Sequence, residues 1–317
     1  MIVLKNVCKT LSGREVLKDI SFHIAENETV GIIGLNGAGK TTLLDTIVGM
    51  IKPDSGFIRT GGAECIIEEK SLLRNLAYVS GTRSQMWETH KVKDSFDNCV
   101  NMYRIDRRIA ESKLTELAEI FEIKAFMDRT PRVLSVGERM RCELVYALLT
   151  QPKILLLDEV MIGLDISIKY RIMQFFEKYR NEQHAAIIYT SHNLTEVETL
   201  CERVILIDAG RIIFDGKVER IMEMFLPLYR MEVRVADKLP DFEDLPLEKY
   251  SVDGDVMTLD YDKQKIETAQ ILRHLMEKCK FSDIRLFEPN LEETIKKIYR
   301  YKNEVAHENM RKEAGRN

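Results

Sequence analysis

Two hydrophobic periods alternate along this chain, and the switches between them mark out its elements. Residues 1–5, Met-Ile-Val-Leu-Lys, read as a first strand, and residues 29–33, Thr-Val-Gly-Ile-Ile, form a short apolar run of the kind that enters a buried parallel sheet. Ile154-Leu155-Leu156-Leu157-Asp158 and Ala185-Ala186-Ile187-Ile188-Tyr189 repeat that pattern. The run from Leu43 to Met50 reads instead as an amphipathic helix. From Arg107 to Phe121, apolar Ile109, Leu114, Leu117, Ala118 and Phe121 recur at helical spacing and predict a core-facing stripe. Residues 91–150 are therefore expected to be mostly helical. Residues 1–90 are expected to form antiparallel β-structure wrapped around the 29–33 strand, with turns at Ser12-Gly13 and Gly61-Gly62. Residues 151–225 return to alternating strands and helices.

Pro227 marks a boundary after which the pattern changes. Residues 231–235 alternate like a half-buried strand, and Lys238 to Glu248 is an acidic, proline-bearing stretch that reads as a loop. Val256 to Tyr261 reads as a strand, Lys265 to Lys280 as a helix, Asp283 to Phe287 as a strand and Leu291 to Tyr301 as a short helix. This β-β-α-β-α order predicts a small α+β domain over residues 226–302. From Asn303 to the end the chain is polar and is expected to be disordered.

Composition narrows the class. At 317 residues, with 45% hydrophobic and 31% charged residues, the chain has ample apolar content for two domains. A net charge of −4 gives no global basicity that would point to nucleic acid. No apolar run reaches the roughly 18–20 residues that cross a bilayer, and no signal-peptide pattern stands at residue 1. The six cysteines, without C-x-x-C spacing, read as reduced packing residues of a cytosolic protein.

The chemistry lies where two of these strands end. Gly34-Leu35-Asn36-Gly37-Ala38-Gly39-Lys40-Thr41-Thr42 matches G-x-x-x-x-G-K-[ST] and stands between the 29–33 strand and the helix that follows. In that setting, backbone N–H groups and the positive end of the helix dipole converge on phosphates. Lys40 would reach the β- and γ-phosphates of ATP, and the Thr41 hydroxyl would ligate Mg²⁺. The 154–158 strand ends in Asp158-Glu159, at the carboxyl edge where open α/β sheets bind ligands. Asp158 is then the Mg²⁺ partner, and Glu159 the group that orients or deprotonates the attacking water.

Leu134-Ser135-Val136-Gly137-Glu138-Arg139 resembles the signature sequence of the ABC transporter ATPases, usually L-S-G-G-Q. Gly163-Leu164-Asp165 stands where that family has its D-loop, and Thr190-Ser191-His192 where it has its switch histidine. Lys52-Pro53-Asp54-Ser55-Gly56 and Asp208-Ala209-Gly210-Arg211-Ile212 also sit at family-like places. The resemblance covers about residues 1–225 and implies an α/β P-loop cassette with an antiparallel β-subdomain and a helical subdomain at about 91–150. Residues 226–302 resemble the accessory C-terminal domains of many such ATPases. It further implies an ATPase in which two cassettes meet head to tail, with Ser135, Val136, Gly137 and Glu138 of one capping the nucleotide held by Lys40 of the other. A separate multi-span membrane subunit would take up the helical insert and the Trp87 loop, on the cytoplasmic face of the cell membrane.

Several positions depart from the family pattern. Val136 replaces a glycine, Glu138 a glutamine and Val160 a proline, while Leu11 stands where an aromatic ring usually stacks on adenine. For the glutamine loop, which contributes to the metal site, counting from the strand Leu76 to Val79 reaches Thr82, whereas the nearby glutamine is Gln85, and Gln85 is the residue expected there. The segment Gly81 to Trp87 resembles a variant found in an exporter-type branch, so an exporter is expected. Two other readings stand beside it. Val136 and Glu138 would suit a nucleotide-dependent dimerisation switch with little turnover, against which Glu159 and His192 argue. A soluble ABC ATPase acting on ribosomes or DNA would usually carry two cassettes or a coiled-coil insertion, and neither is visible.

Overall fold

The computed structural model describes residues 1–64, 75–224, 228–236 and 245–288, together with residues 291, 292, 294, 295 and 298. Cys65, the expected loop at 238–244 and the polar tail from Asn303 lie outside the described residues. The chain divides into two compact units, Met1–Lys217 and Val218–Asn317. The break falls before the short helix Val218–Met224, earlier than the boundary that Pro227 suggested.

In the first unit, β1 (Ile2–Leu11), β2 (Arg14–Ile24), β4 (Ser55–Thr60) and β5 (Ala63–Glu64) form an antiparallel sheet in the order β2-β1-β4-β5. Ser12 and Gly13, both at positive φ, make the expected turn between β1 and β2. The second sheet runs β10-β9-β3-β8-β7-β6, with β3 (Thr29–Ile33), β6 (Leu76–Ser80), β7 (Ile154–Asp158), β8 (Ala186–Thr190), β9 (Arg203–Asp208) and β10 (Arg211–Lys217). All its pairings are parallel except the edge hairpin of β9 and β10.

The antiparallel sheet therefore does not wrap around β3, as residues 1–90 suggested. β3 and β6 leave it for the parallel sheet. β3 is buried at every residue, as a strand covered on both faces must be. Ile2, Leu4 and Ile24 of the first sheet meet Val30, Ile32, Leu156 and Ile188 of the second in one core. Into it α1 (Lys40–Ile47) sends Leu43, Leu44 and Ile47.

Residues 91–150 are helical as expected, with α2 (Val92–Tyr103), α3 (Arg107–Ile120) and α4 (Val136–Leu148). Of the α3 stripe, Leu117, Ala118 and Phe121 are buried, but Ile109 is 54% exposed because Ala110, its neighbour, takes the inward position of that turn. α5 (Ile166–Gln183) and α6 (Leu194–Leu200) follow β7 and β8. No helix among the described residues is long and apolar enough to cross a membrane.

The second unit holds α7 (Val218–Met224), β11 (Tyr229–Val235), β12 (Leu247–Asp253), β13 (Val256–Tyr261), α8 (Thr268–Lys278) and β14 (Phe281–Phe287). Its antiparallel sheet runs β12-β13-β11-β14, so the order from β11 on is β-β-β-α-β. Strand β12 occupies part of the stretch read as loop. It is an edge strand exposed along almost its whole length, so no apolar face marked it. The hairpin turn at Gly254-Asp255, after Asp253, was the legible signal.

Candidate functional site

The loop after β3 is shaped by close approaches that exclude side chains. A methyl group on Gly34 would come within 2.5 Å of the Ile207 carbonyl oxygen, and Gly37 and Gly39 take φ of 78° and 108°. Gly39 caps α1 without a side-chain hydrogen bond, which leaves the first-turn N–H groups to the loop. Leu35, Asn36 and Gly37 are exposed, while Ala38 is buried and donates its N–H to the Leu35 carbonyl at 3.0 Å. Lys40 is only 7% exposed, and its Nζ donates to the carbonyl oxygens of Gly34 (2.8 Å) and Leu35 (3.3 Å). Burial lowers its pKa, against the opposing pull of Glu159 and Asp158. A desolvated ammonium held by neutral carbonyls is poised for an anion.

Strand register supplies the opposing wall. Ser80, Asp158 and Thr190 are neighbours across β6, β7 and β8, and Thr190 also pairs with Ile32 of β3. Asp158, 6% exposed, accepts the Thr190 hydroxyl on Oδ1 at 2.5 Å. Its Oδ2 faces the hydroxyls of Thr41 (3.3 Å) and Tyr78 (3.4 Å). Glu159 turns the chain out of β7 with a φ of 57°, its N–H held by the Thr190 carbonyl at 3.1 Å. Its Oε1 lies 2.6 Å from Nε2 of His192, which stands two residues beyond the end of β8. Five predicted residues, Lys40, Thr41, Asp158, Glu159 and His192, thus meet at one sheet edge.

Ser135 caps α4: its hydroxyl accepts the Glu138 N–H at 3.2 Å, and Glu138 accepts the Ser135 N–H at 2.8 Å. That main-chain donor holds the Glu138 carboxyl below its ordinary value, with Arg129 3.8 Å away. Arg129, not the neighbouring Arg139, is the cation that reaches it. Val136 is 48% exposed. A methyl group on Gly137 would overlap the carbonyl oxygen of Gly163, so this turn and the Gly163–Asp165 loop touch main chain to main chain. Asp165 then caps α5 by accepting the Ile168 N–H at 3.0 Å.

The loop after β6 carries the one divided assignment. Gln85 donates Nε2 to the Tyr78 carbonyl at 2.7 Å. Thr82 sits beside the strand end, its hydroxyl 3.1 Å from that of Ser80, the register neighbour of Asp158. Two anchors here escaped the sequence reading. Arg83 forms a two-pronged pair with Asp45 of α1 at 2.9 and 3.1 Å, and buried Glu143 of α4 accepts the Ser84 hydroxyl and the Gln85 N–H. An acid among apolar helix positions was the visible trace of Glu143. Leu11 lies at the end of β1, paired with Arg14 and exposed.

Comparison with known proteins gives the family. Residues 17–161 match the sequence family described as ABC transporter. The chain is 32% identical over 233 residues to the lipopolysaccharide export system ATP-binding protein LptB of Haemophilus influenzae, covering 70% of this chain and 92% of that protein. It is 33% identical over 224 residues to the methionine import ATP-binding protein MetN of Clostridium acetobutylicum, covering 70% of each. A dimeric ATP-binding cassette solved in a post-hydrolysis state with ADP and Pi shares the fold, with a TM-score of 0.62, 24% identity and coverage of 68% of this chain and 98% of that one. The chain therefore belongs to the ATP-binding subunits of ABC transporters.

Proposed function

We propose that the chain hydrolyses ATP with Mg²⁺ in a head-to-tail pair of cassettes and thereby drives a separate multi-span membrane subunit that works as an exporter. The observation that carries this reading is the 2.6 Å contact between Glu159 and His192 at the sheet edge that also holds Lys40 and Asp158. Lys40 would exchange its carbonyl partners for β- and γ-phosphate oxygens. Glu159 accepts the proton of the attacking water, and His192 fixes the carboxylate that accepts it. Mg²⁺ suits the remaining groups, since one buried carboxylate with a hydroxyl beside it is the partial oxygen shell this ion takes when phosphates and water complete it. Asp158 and Thr41 would hold it, with Thr82 or Gln85 contributing from the loop after β6, and its charge would offset that building on the phosphates.

Ser135, Val136, Gly137 and Glu138 would act on the nucleotide of the second cassette, with Asp165 at the same junction. An identical copy of this chain is the partner proposed. Export is favoured by the Gly81–Trp87 segment and by likeness to LptB; likeness to MetN supports import as the second reading. Either direction places the chain on the cytoplasmic face of the membrane.

Glu159→Gln tests the central claim. ATP should still bind, hydrolysis should fall by about 10²-fold or more, and an ATP-bound dimer should accumulate on a sizing column. Brisk turnover in both proteins would remove Glu159 as the base. Negligible turnover in both would favour the switch.

A further inference from the structure

Behind the Glu159–His192 pair lies a second, buried carboxylate that the hydrolytic chemistry leaves unused. Glu196 of α6 is 6% exposed and accepts from Lys169 Nζ at 2.8 Å, the Tyr189 hydroxyl at 2.7 Å, the Ser191 hydroxyl at 2.7 Å and Asn193 Nδ2 at 3.3 Å. Ser191 and Asn193 are the two neighbours of His192, and the Asn193 N–H also binds the Ser191 hydroxyl at 3.0 Å. The turn that presents His192 is therefore tied on both sides to one carboxylate. Lys169 comes from a different element, the first turn of α5. Its N–H bonds the carbonyl of Asp165, the residue that caps that helix. A cavity of about 140 Å³ adjoins these groups, lined by Glu159, Met161, Lys169, Ser191, His192 and Glu196.

We infer that Lys169 and Glu196 are positioning residues: their ion pair sets the His192 turn against Glu159 and ties it to the Asp165 end of α5. The physical argument concerns rigidity. The His192 side chain is half exposed and its contact with Glu159 involves one atom pair, so packing alone does not fix the ring. Four donors on one buried carboxylate do fix the main chain on either side of it. Without its cation, a buried carboxylate must take a proton or draw in water. Either change alters its set of donors and lets the turn move. A displacement of about 1 Å at a reacting group is enough to lower a rate by tenfold or more. The inference rests on the proposed roles of Glu159 and His192.

The test compares the 317-residue chain with Lys169→Met, Lys169→Arg and the double variant Lys169→Met/Glu196→Gln, with Glu159→Gln as reference. Lys169→Met should lower kcat for ATP about tenfold with KM changed less than about twofold, and should shift the His192 ring signals in the NMR spectrum. Lys169→Arg should restore both. If Lys169→Met unfolds, the double variant, which removes both charges of the pair, carries the test. It should melt near wild type yet keep the loss of kcat and the shifted ring signals. Wild-type kcat and unmoved His192 signals in a folded variant would overturn the inference while leaving Glu159 untouched. Full turnover in Glu159→Gln would instead bring down the reading beneath it. The NMR arm decides the matter where turnover of the chain alone is too slow to measure.

Discussion

The carboxylate of Glu138 accepts the main-chain N–H of Ser135, and the Ser135 hydroxyl accepts that of Glu138, so each closes the other's end of α4. A negative charge thus already occupies the helix N-terminus that a partner's phosphate would approach in a head-to-tail dimer. Glutamine at 138 closes the same box without the charge. Glu138→Gln should lower the ATP concentration for half-maximal dimerisation about two- to fivefold, and the gain should shrink as salt screens it. ADP binding by the monomer should stay unchanged. Titrating dimer formation at low and high salt checks this, and a shift confined to monomer ADP affinity would mean that the turn acts on its own chain's nucleotide.

Gly137 meets the Gly163 carbonyl so closely that a methyl group cannot enter without main-chain movement. Gly137→Ala should cost about 1–3 kcal/mol of stability and lower ATP-driven dimerisation, because both the α4 turn and the Gly163–Asp165 loop must shift. Thermal melts of the two proteins, followed by sizing with ATP, give the result. An unchanged melting temperature would show that the two turns are not in contact.

Glu143 supplies a pH dependence. Burial raises its carboxyl pKa, so the folded chain holds this proton more tightly than the unfolded chain. The stabilisation is complete below the unfolded carboxyl value of about 4.3 and is lost as pH rises through the raised folded value. Glu143→Gln lacks this loss. Urea midpoints of the two proteins should lie closest near about pH 5 and separate toward about pH 8 in favour of the variant. A constant difference would place the proton elsewhere.

Lys40 is a cation already stripped of most of its water and held by two carbonyls. Lys40→Ala should weaken ATP binding by about 10²-fold or more, since a charge-assisted contact to phosphate is lost from a preformed loop. Equilibrium titration with a fluorescent ATP analogue measures it. Near wild-type affinity would exclude the loop as the phosphate site.

What could be read from the sequence was chemistry carried by neighbours along the chain. The glycines from Gly34 to Gly39 with Lys40, the acids closing the 154–158 run and the segment from Leu134 to Arg139 each complete a local geometry within a few residues. Backbone sterics and helix capping act over that range, so one segment suffices to reveal them. Relations across the sheet had no such local trace. Whether Tyr78 reaches Asp158 and whether Thr82 or Gln85 lies nearer the strand end depend on parallel register between strands far apart in the chain, and that Lys169 reaches Glu196 depends on how two helices pack beside it. That register is chosen by the shared core of both sheets and not by any one strand. The exposed strand β12 marks the same divide from the other side. Its pairing with β13 makes it a strand, and edge pairing leaves little hydrophobic pattern to read. The residue types of this ATPase were thus set by local sequence, whereas their meeting at one edge was decided by tertiary burial, because hydrophobic packing is what brings distant strands into a single register.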